Sequence, residues 1–253
     1  MINKLFVFKN KTVLVTGASK GIGFEISKYF GDLGAQVIMV SRNIADLKEA
    51  ASEINSNIIT FSTDLSSLNG INELADFITE NFNSVDVLIN NVGTNIRNET
   101  ENANEEEFEF LINTNLRSGY HLSRKILPLL KKSEQGNVIF ISSVAGLTHL
   151  RTGAIYAMTK SAINQLVKNL AVEWAKYNIR VNSVAPWYIE TPLAKQVLTD
   201  EKYKAEVLSR TPMNRIGKPQ EVATVVAFLA SAGAGYITGQ TIPVDGGFSI
   251  YGF

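Results

Sequence analysis

Short runs of apolar, largely β-branched residues recur along the chain, separated by stretches with a helical period. Thr12-Val13-Leu14-Val15, Val37-Ile38-Met39-Val40, Val87-Leu88-Ile89, Val138-Ile139-Phe140-Ile141 and Val181-Asn182-Ser183-Val184 predict strands. Ile58-Ile59-Thr60-Phe61 and Thr241-Ile242-Pro243-Val244 are further candidates. So little polar alternation suits strands covered on both faces, as in a parallel sheet. After Gly21, residues Ile22, Ile26, Tyr29, Phe30 and Leu33 keep one apolar helical face, and Gly34 supplies a stop. A longer helix carries Ile163, Leu166, Val167, Leu170 and Trp174 on one stripe. This alternation implies right-handed crossovers and an α/β, doubly wound parallel sheet of about seven strands with helices on both faces. No linker or compositional break divides residues 1–253, so one domain is expected.

Composition narrows the class. With 253 residues, 45% hydrophobic and 19% charged, the chain can bury a sizeable core and does not read as disordered. Its 24 basic and 24 acidic residues cancel, which gives no electrostatic reason to expect nucleic acid or an anionic membrane as partner. Cysteine is absent, excluding disulfides, thiolate metal sites and cysteine nucleophiles. His121 and His149 match no zinc spacing, so no metal site is expected. No apolar run approaches the roughly 18 residues of a membrane span. Leu5-Phe6-Val7-Phe8 is too short for a secretory signal. A cytoplasmic location is the resulting expectation.

Directly after the first strand comes Thr16-Gly17-Ala18-Ser19-Lys20-Gly21-Ile22-Gly23. Glycines let the backbone turn tightly and approach a pyrophosphate, while the following helix N-terminus offers unpaired N–H groups to the anion. The spacing is G-x-x-x-G-x-G, and an ordinary tight turn is the competing reading. At the end of the second strand, a cofactor without the extra phosphate wants an acid for the ribose hydroxyls. This chain has Ser41-Arg42 there and Lys20 in the turn. Two cations favour a 2′-phosphate, so NADP(H), with NADPH preferred over NADH, is the expected cofactor. The alternative is that both are solvated surface charges.

Tyr156 and Lys160 stand at i and i+4 and therefore share a helical face. Carbonyl reduction needs a proton donor for the developing alkoxide. A free phenol titrates near about 10, and a nearby ammonium would lower that value. The pair thus makes a sensible acid/base, although such spacing is also an ordinary surface contact. Ser142-Ser143 follows the fourth of the main strands, thirteen residues before the tyrosine. A hydroxyl there could bond the substrate oxygen, or Ser143 could be a cap or loop serine. Asn115, in an apolar helical stretch, serves either structural hydrogen bonding or a water-mediated proton path to Lys160.

The combination is specific. The glycine turn, Asp64-Leu65, Asn90-Asn91-Val92-Gly93, Asn115, Ser143 and Tyr156-x-x-x-Lys160 occur in this order. In these motifs the chain resembles the short-chain dehydrogenase/reductase family, from Gly17 to Val244-Asp245-Gly246-Gly247. The stretch from Asn164 to Lys176 and Asn178-Ile179-Arg180-Val181 through Pro186-Trp187-Tyr188-Ile189 is similar to the tropinone-reductase-like group. The resemblance implies a Rossmann-type domain with Tyr156 as acid/base and Ser143 polarising the carbonyl. Lys160 would bind the nicotinamide ribose and lower the tyrosine pKa, and Asn115 would anchor a proton-relay water. Gly17, Ser19, Lys20, Gly21, Ile22, Gly23, Ser41, Arg42 and Gly93 would border the cofactor. Asp64 and Leu65 would hold adenine and Asn91 the adenosine-side ribose region; Pro186, Ile189 and Thr191 would reach the carboxamide and phosphates. Val92 and Trp187 depart from the Asn-Asn-Ala-Gly and Pro-Gly common in the family.

The resemblance places the substrate pocket among Ser143, Val144, Ala145, His149, Leu150, Tyr156, Trp187, Tyr188, Leu193 and Leu198. Such mostly apolar walls imply a small, fairly hydrophobic carbonyl substrate. His149 either bonds a polar group or is an exposed loop residue. Pro192 to Arg210, polar and helical in period, is a candidate lid. The expected activity is tropinone-reductase-like carbonyl reduction or secondary-alcohol oxidation. Alternatives are a 3-oxoacyl thioester, sugar or steroid substrate and, in another class, a non-catalytic NADP(H)-binding sensor. A homotetramer or homodimer is expected, with two-fold contacts from Tyr156–Lys176 and a helix near Glu105 to Leu130. The apolar Ile250-Tyr251-Gly252-Phe253 end is expected to pack against its own or a neighbouring subunit.

Overall fold

The computed structural model describes residues 6–252. All seven anticipated strands form: β1 (Thr12–Thr16), β2 (Gln36–Ser41), β3 (Ile58–Ser62), β4 (Val87–Asn90), β5 (Gly136–Ile141), β6 (Ile179–Pro186) and β7 (Thr241–Val244). They pair in parallel in the order β3-β2-β1-β4-β5-β6-β7. Every residue of β5 and β6 is buried, as expected for central strands covered on both faces. The order reverses between β1 and β4, where the two halves of the sheet part and a crevice opens beyond the strand ends.

Helices α1 (Gly21–Asp32), α2 (Ile44–Ser52) and α9 (Pro219–Ala230) cover one face. Helices α3 (Leu68–Asn81), α5 (Ser118–Leu130) and α6 (Ala154–Trp174) cover the other. In α6, Ile163, Val167, Leu170 and Trp174 are buried as the stripe predicts, with Leu166 only partly so. The expected helix from Glu105 to Leu130 is interrupted. α4 (Glu105–Leu111) passes through a π-helical segment, Ile112–Arg117, before α5 begins. The widened turn carries Asn115, and such bulges concentrate at functional sites. Pro192 to Arg210 folds into α7 (Pro192–Leu198) and α8 (Glu201–Ser209). At the C-terminus Ile250 is 88% exposed, so it does not pack against its own subunit. Phe253 lies outside the described residues. Among those residues no helix is long and apolar enough to cross a membrane, and no cluster of metal-ligating side chains occurs.

Candidate active site

A cleft of about 610 Å³ runs along the C-terminal ends of the strands, from Arg42 beyond β2 to Tyr188 beyond β6. It lies at the reversal of strand order, where open α/β sheets bind ligands.

Beneath its centre the glycine turn is built for close approach. Gly17 (φ +64°) and Gly21 (φ +59°) are left-handed, a conformation that L side chains rarely adopt. A Cβ on Gly23 would fall 2.2 Å from the Gly17 carbonyl oxygen, so α1 presses directly against the turn. No side chain caps the N-terminus of α1, where Lys20 is the N-cap residue, so its first N–H groups remain available to an anion. Asn91 fastens the turn to β4: its Nδ2 donates to the carbonyl oxygens of Thr16 at 2.9 Å and Gly17 at 3.0 Å. That side chain is therefore part of the cradle's scaffold, a use the sequence reading did not assign. Thr191 caps α7, and its methyl group faces Gly21 across the cleft.

At the β2 end, Lys20 and Arg42 line the cleft, are exposed and make no ion pair with a described residue. Ser41 Oγ donates to the Asn43 carbonyl at 3.2 Å. Asp64 Oδ1 accepts from the Ser66 amide at 3.0 Å, while Leu65 is buried beside it. The residues present thus fit a dinucleotide: an uncapped helix start and a glycine floor without side chains, with Lys20 and Arg42 at one end of the cleft.

Near the middle, β5 and α6 bring three expected groups together. Ser143, just past β5, lines the cleft with Tyr156 and lies near enough to act on the acidity of the phenol. Its Oγ accepts from the Ala145 amide at 3.1 Å, so the serine also caps the turn that follows β5. Lys160 is buried, and its Nζ donates to the Ile141 carbonyl at 2.9 Å. A Cβ on Gly93 would lie 3.1 Å from that Nζ, so glycine leaves the ammonium uncovered on this side.

The electrostatics differ from the expectation. Loss of water around the Tyr156 ring raises its pKa; the neighbouring Ser143 hydroxyl and the charge of Arg97 pull the other way. Lys160, with its Nζ 5.6 Å from the ring centroid, is not among the causes. Burial lowers Lys160 itself to about 8. The phenol therefore holds its proton at neutral pH. The direction of this shift is opposite to the one that the resemblance implies.

Asn115 is also fully engaged by its side chain. Oδ1 accepts from the Thr94 amide at 2.8 Å, and Nδ2 donates to the Thr94 carbonyl at 2.9 Å and to Thr159 Oγ1 at 3.3 Å. The structural reading thus holds for the side chain, which leaves its main chain for any relay.

A family model described as enoyl-(acyl carrier protein) reductase matches residues 17–249. A tropinone reductase homolog of Arabidopsis thaliana is 47% identical over 97% of this chain and 93% of its own. The chain belongs to the short-chain dehydrogenase/reductase family. A second tropinone reductase homolog of the same plant is 44% identical over 99% of this chain and 97% of its own. Among solved structures, a putative NAD(P)-dependent gluconate 5-dehydrogenase from Beutenbergia cavernae with bound NADP superposes with a TM-score of 0.92. It is 32% identical and covers 96% of this chain and 98% of its own. Levodione reductase gives 0.92 at 29% identity, covering 97% and 100%. The chain is thus a short-chain dehydrogenase/reductase acting on CH–OH or C=O groups.

Within this short-chain dehydrogenase/reductase, the substrate end of the cleft departs from the expected set. Leu150, Trp187, Tyr188 and Leu193 line it, but Val144, Ala145, His149 and Leu198 do not. Val144 and Ala145 turn into the protein, whereas His149 is exposed on the loop surface. Trp187 is accommodated after Pro186 by stacking on Phe248, centroids 3.8 Å apart, with its Nε1 donating to Thr211 Oγ1 at 3.1 Å. Gly23 lies beneath the turn and not on the cleft surface.

Sequence reasoning missed Arg97 and Tyr203. Arg97 lines the cleft from the loop after β4, and its Nη2 donates to Tyr188 Oη at 3.4 Å. Tyr203, on α8, hydrogen-bonds Tyr188 Oη at 2.6 Å. A signal was available for the arginine: it stands in the loop leaving a strand beside the reversal of order, where ligands bind. Nothing in the pattern of α8 distinguished Tyr203.

Proposed function

We propose that this chain, acting as one nucleotide-binding domain, is an NADPH-dependent carbonyl reductase and secondary-alcohol dehydrogenase in which Tyr156 transfers the proton. The observation that carries this reading is that Ser143, Tyr156 and Lys160 line one cleft with the open glycine turn. The nicotinamide, when bound, supplies or accepts the hydride. The glycine turn and the α1 N-terminus hold the diphosphate, and Lys20 and Arg42 take the 2′-phosphate. Asp64 and Leu65 border the adenine, Lys160 the nicotinamide ribose, and Ile189 with Thr191 the carboxamide side.

In the reductive direction the protonated phenol of Tyr156 gives its proton to the carbonyl oxygen. Ser143 donates a second hydrogen bond to that oxygen as charge develops on it. A protonated phenol, the ordinary form at neutral pH, suits this direction. Leu150, Leu193 and Val197 give apolar walls against which the carbon chain of a compact carbonyl substrate would pack. Exposed Tyr120 on α5 and Val172 on α6 offer apolar surface for two-fold assembly into a homodimer or homotetramer.

The test is NADPH oxidation with a panel of ketones and diketones by wild type and Tyr156→Phe. Loss of about 10²–10⁴-fold or more in kcat is expected, with nucleotide affinity retained. A variant that keeps full activity overturns the assignment of Tyr156.

A further inference from the structure

Among the charged side chains lining the cleft, two stand at its catalytic end: Lys160, already engaged with Ile141, and Arg97. The carboxylates that line the cleft, Asp46 and Asp64, belong to the adenosine end, on α2 and just after β3. Arg97 makes no ion pair with any described residue. Its guanidinium is held instead by aromatic rings, with Cζ 6.0 Å from the centroids of both Tyr188 and Tyr203. One donor is spent on a long bond to Tyr188, and the rest of the fork is free.

The loop that carries this arginine is fixed. Asn115 bonds both main-chain groups of Thr94, and Asn98 Nδ2 donates to the Asn102 carbonyl at 2.9 Å. Gly153 (φ +88°), the residue before α6, would place a Cβ 2.8 Å from the Asn98 carbonyl oxygen. The loop therefore packs tightly against the start of the helix bearing Tyr156. The arginine is near enough for its charge to act on the Tyr156 phenol.

The walls beside Arg97 are polar as well as apolar. Thr152, 7% exposed, lines the cleft with its Oγ1 unpartnered, and so does Asn95 with its Oδ1 unpartnered.

We propose that Arg97 receives a carboxylate of the substrate, so that the compound reduced at Tyr156 is a short oxo acid and not a neutral or amine-bearing ketone. The inference rests on the reductase reading and names its substrate class. A planar guanidinium matches a carboxylate with two parallel hydrogen bonds. The apolar walls would pack its carbon chain. NADPH is oxidised and the oxo acid leaves as the hydroxy acid. A protonated amine in the same place would be repelled.

The experiment compares short oxo acids with their methyl esters and with amino ketones, using wild type, Arg97→Met and Arg97→Lys. Wild type is expected to favour each best acid over its ester in kcat/KM. Arg97→Met should collapse that acid-to-ester ratio about 10–100-fold, as befits loss of a charged hydrogen bond. Arg97→Lys should recover part of it. The ratio is the readout because damage to folding lowers both substrates alike. Esters turned over as well as acids, or a ratio unmoved by Arg97→Met, overturns the inference and leaves the reductase reading standing. Calorimetric titration of the oxo acids into the NADPH-loaded protein covers the remaining case. Arg97-dependent binding without turnover of any carbonyl keeps the anion site and overturns the reductase reading. No binding and no turnover overturns both.

Discussion

Lys160 and Tyr156 share a face of α6, yet the ammonium donates to the Ile141 carbonyl at 2.9 Å and stands 5.6 Å from the centre of the phenol ring. Burial lowers the lysine from the ordinary 10.5 to about 8, so its charged form is disfavoured in the folded chain. The sign of the linkage follows. Between about 8 and 10.5 the unfolded chain binds more protons at this site than the folded one, so the lysine's contribution to stability rises with pH across that window. It is lost as pH falls through about 8. The gap corresponds to about 3 kcal/mol. Lys160→Met has no such titration. Denaturant unfolding at pH 7 and at pH 10 should therefore show wild type gaining on the variant by up to about 3 kcal/mol as pH rises. A constant difference between the two would mean that the ammonium is not desolvated.

Cofactor choice is set at the β2 end, where Arg42 lines the cleft free of any ion pair with a described residue. Removing a cation that contacts a 2′-phosphate costs binding of the phosphorylated nucleotide and leaves the other form nearly unaffected. Arg42→Ala is expected to weaken NADPH about 10–100-fold while changing NADH less than about threefold, read by fluorescence titration. Equal losses for both nucleotides would place Arg42 away from the 2′-phosphate.

The fold was legible because parallel strands covered on both faces are written as unbroken apolar runs. Even Ile58–Phe61, half-buried at the sheet edge, kept its β-branched signature. The glycine turn and the Tyr156/Lys160 pair were legible for a related reason, since backbone geometry and helical spacing are local properties of the sequence. Other features depend on tertiary placement. His149 and Ala145 follow Ser143 closely, but the 3₁₀ turn Val144–Gly146 buries one and carries the chain outward before the other. The engagement of Asn115 with Thr94 crosses 21 residues, and the Tyr188–Tyr203 contact joins a strand exit to a separate helix. The desolvation that acts on the Tyr156 phenol was not legible either, because spacing counts the nearby ammonium but not the water lost around the ring.

The last prediction concerns the floor of the cleft. Gly23 is the third residue of α1, and an added Cβ would meet the Gly17 carbonyl carbon at 2.9 Å as well as its oxygen at 2.2 Å. These are backbone atoms, which cannot swing aside as a flexible side chain could. Asn91 Nδ2, the other near neighbour at 2.5 Å, is itself bonded to the Thr16 and Gly17 carbonyls and is not free to move without releasing the turn. Gly23→Ala should therefore push α1 away from β1 and β4, at a cost of about 1–3 kcal/mol in folding stability. The same displacement would spread the amides that face the diphosphate, so affinity for NADPH and NADH should fall together by about tenfold or more. That joint loss separates this variant from Arg42→Ala, which discriminates between the nucleotides. Thermal melts in the absence and presence of each nucleotide check both parts at once. An unchanged melting temperature with full nucleotide stabilisation would show that the turn has room that the described contacts deny.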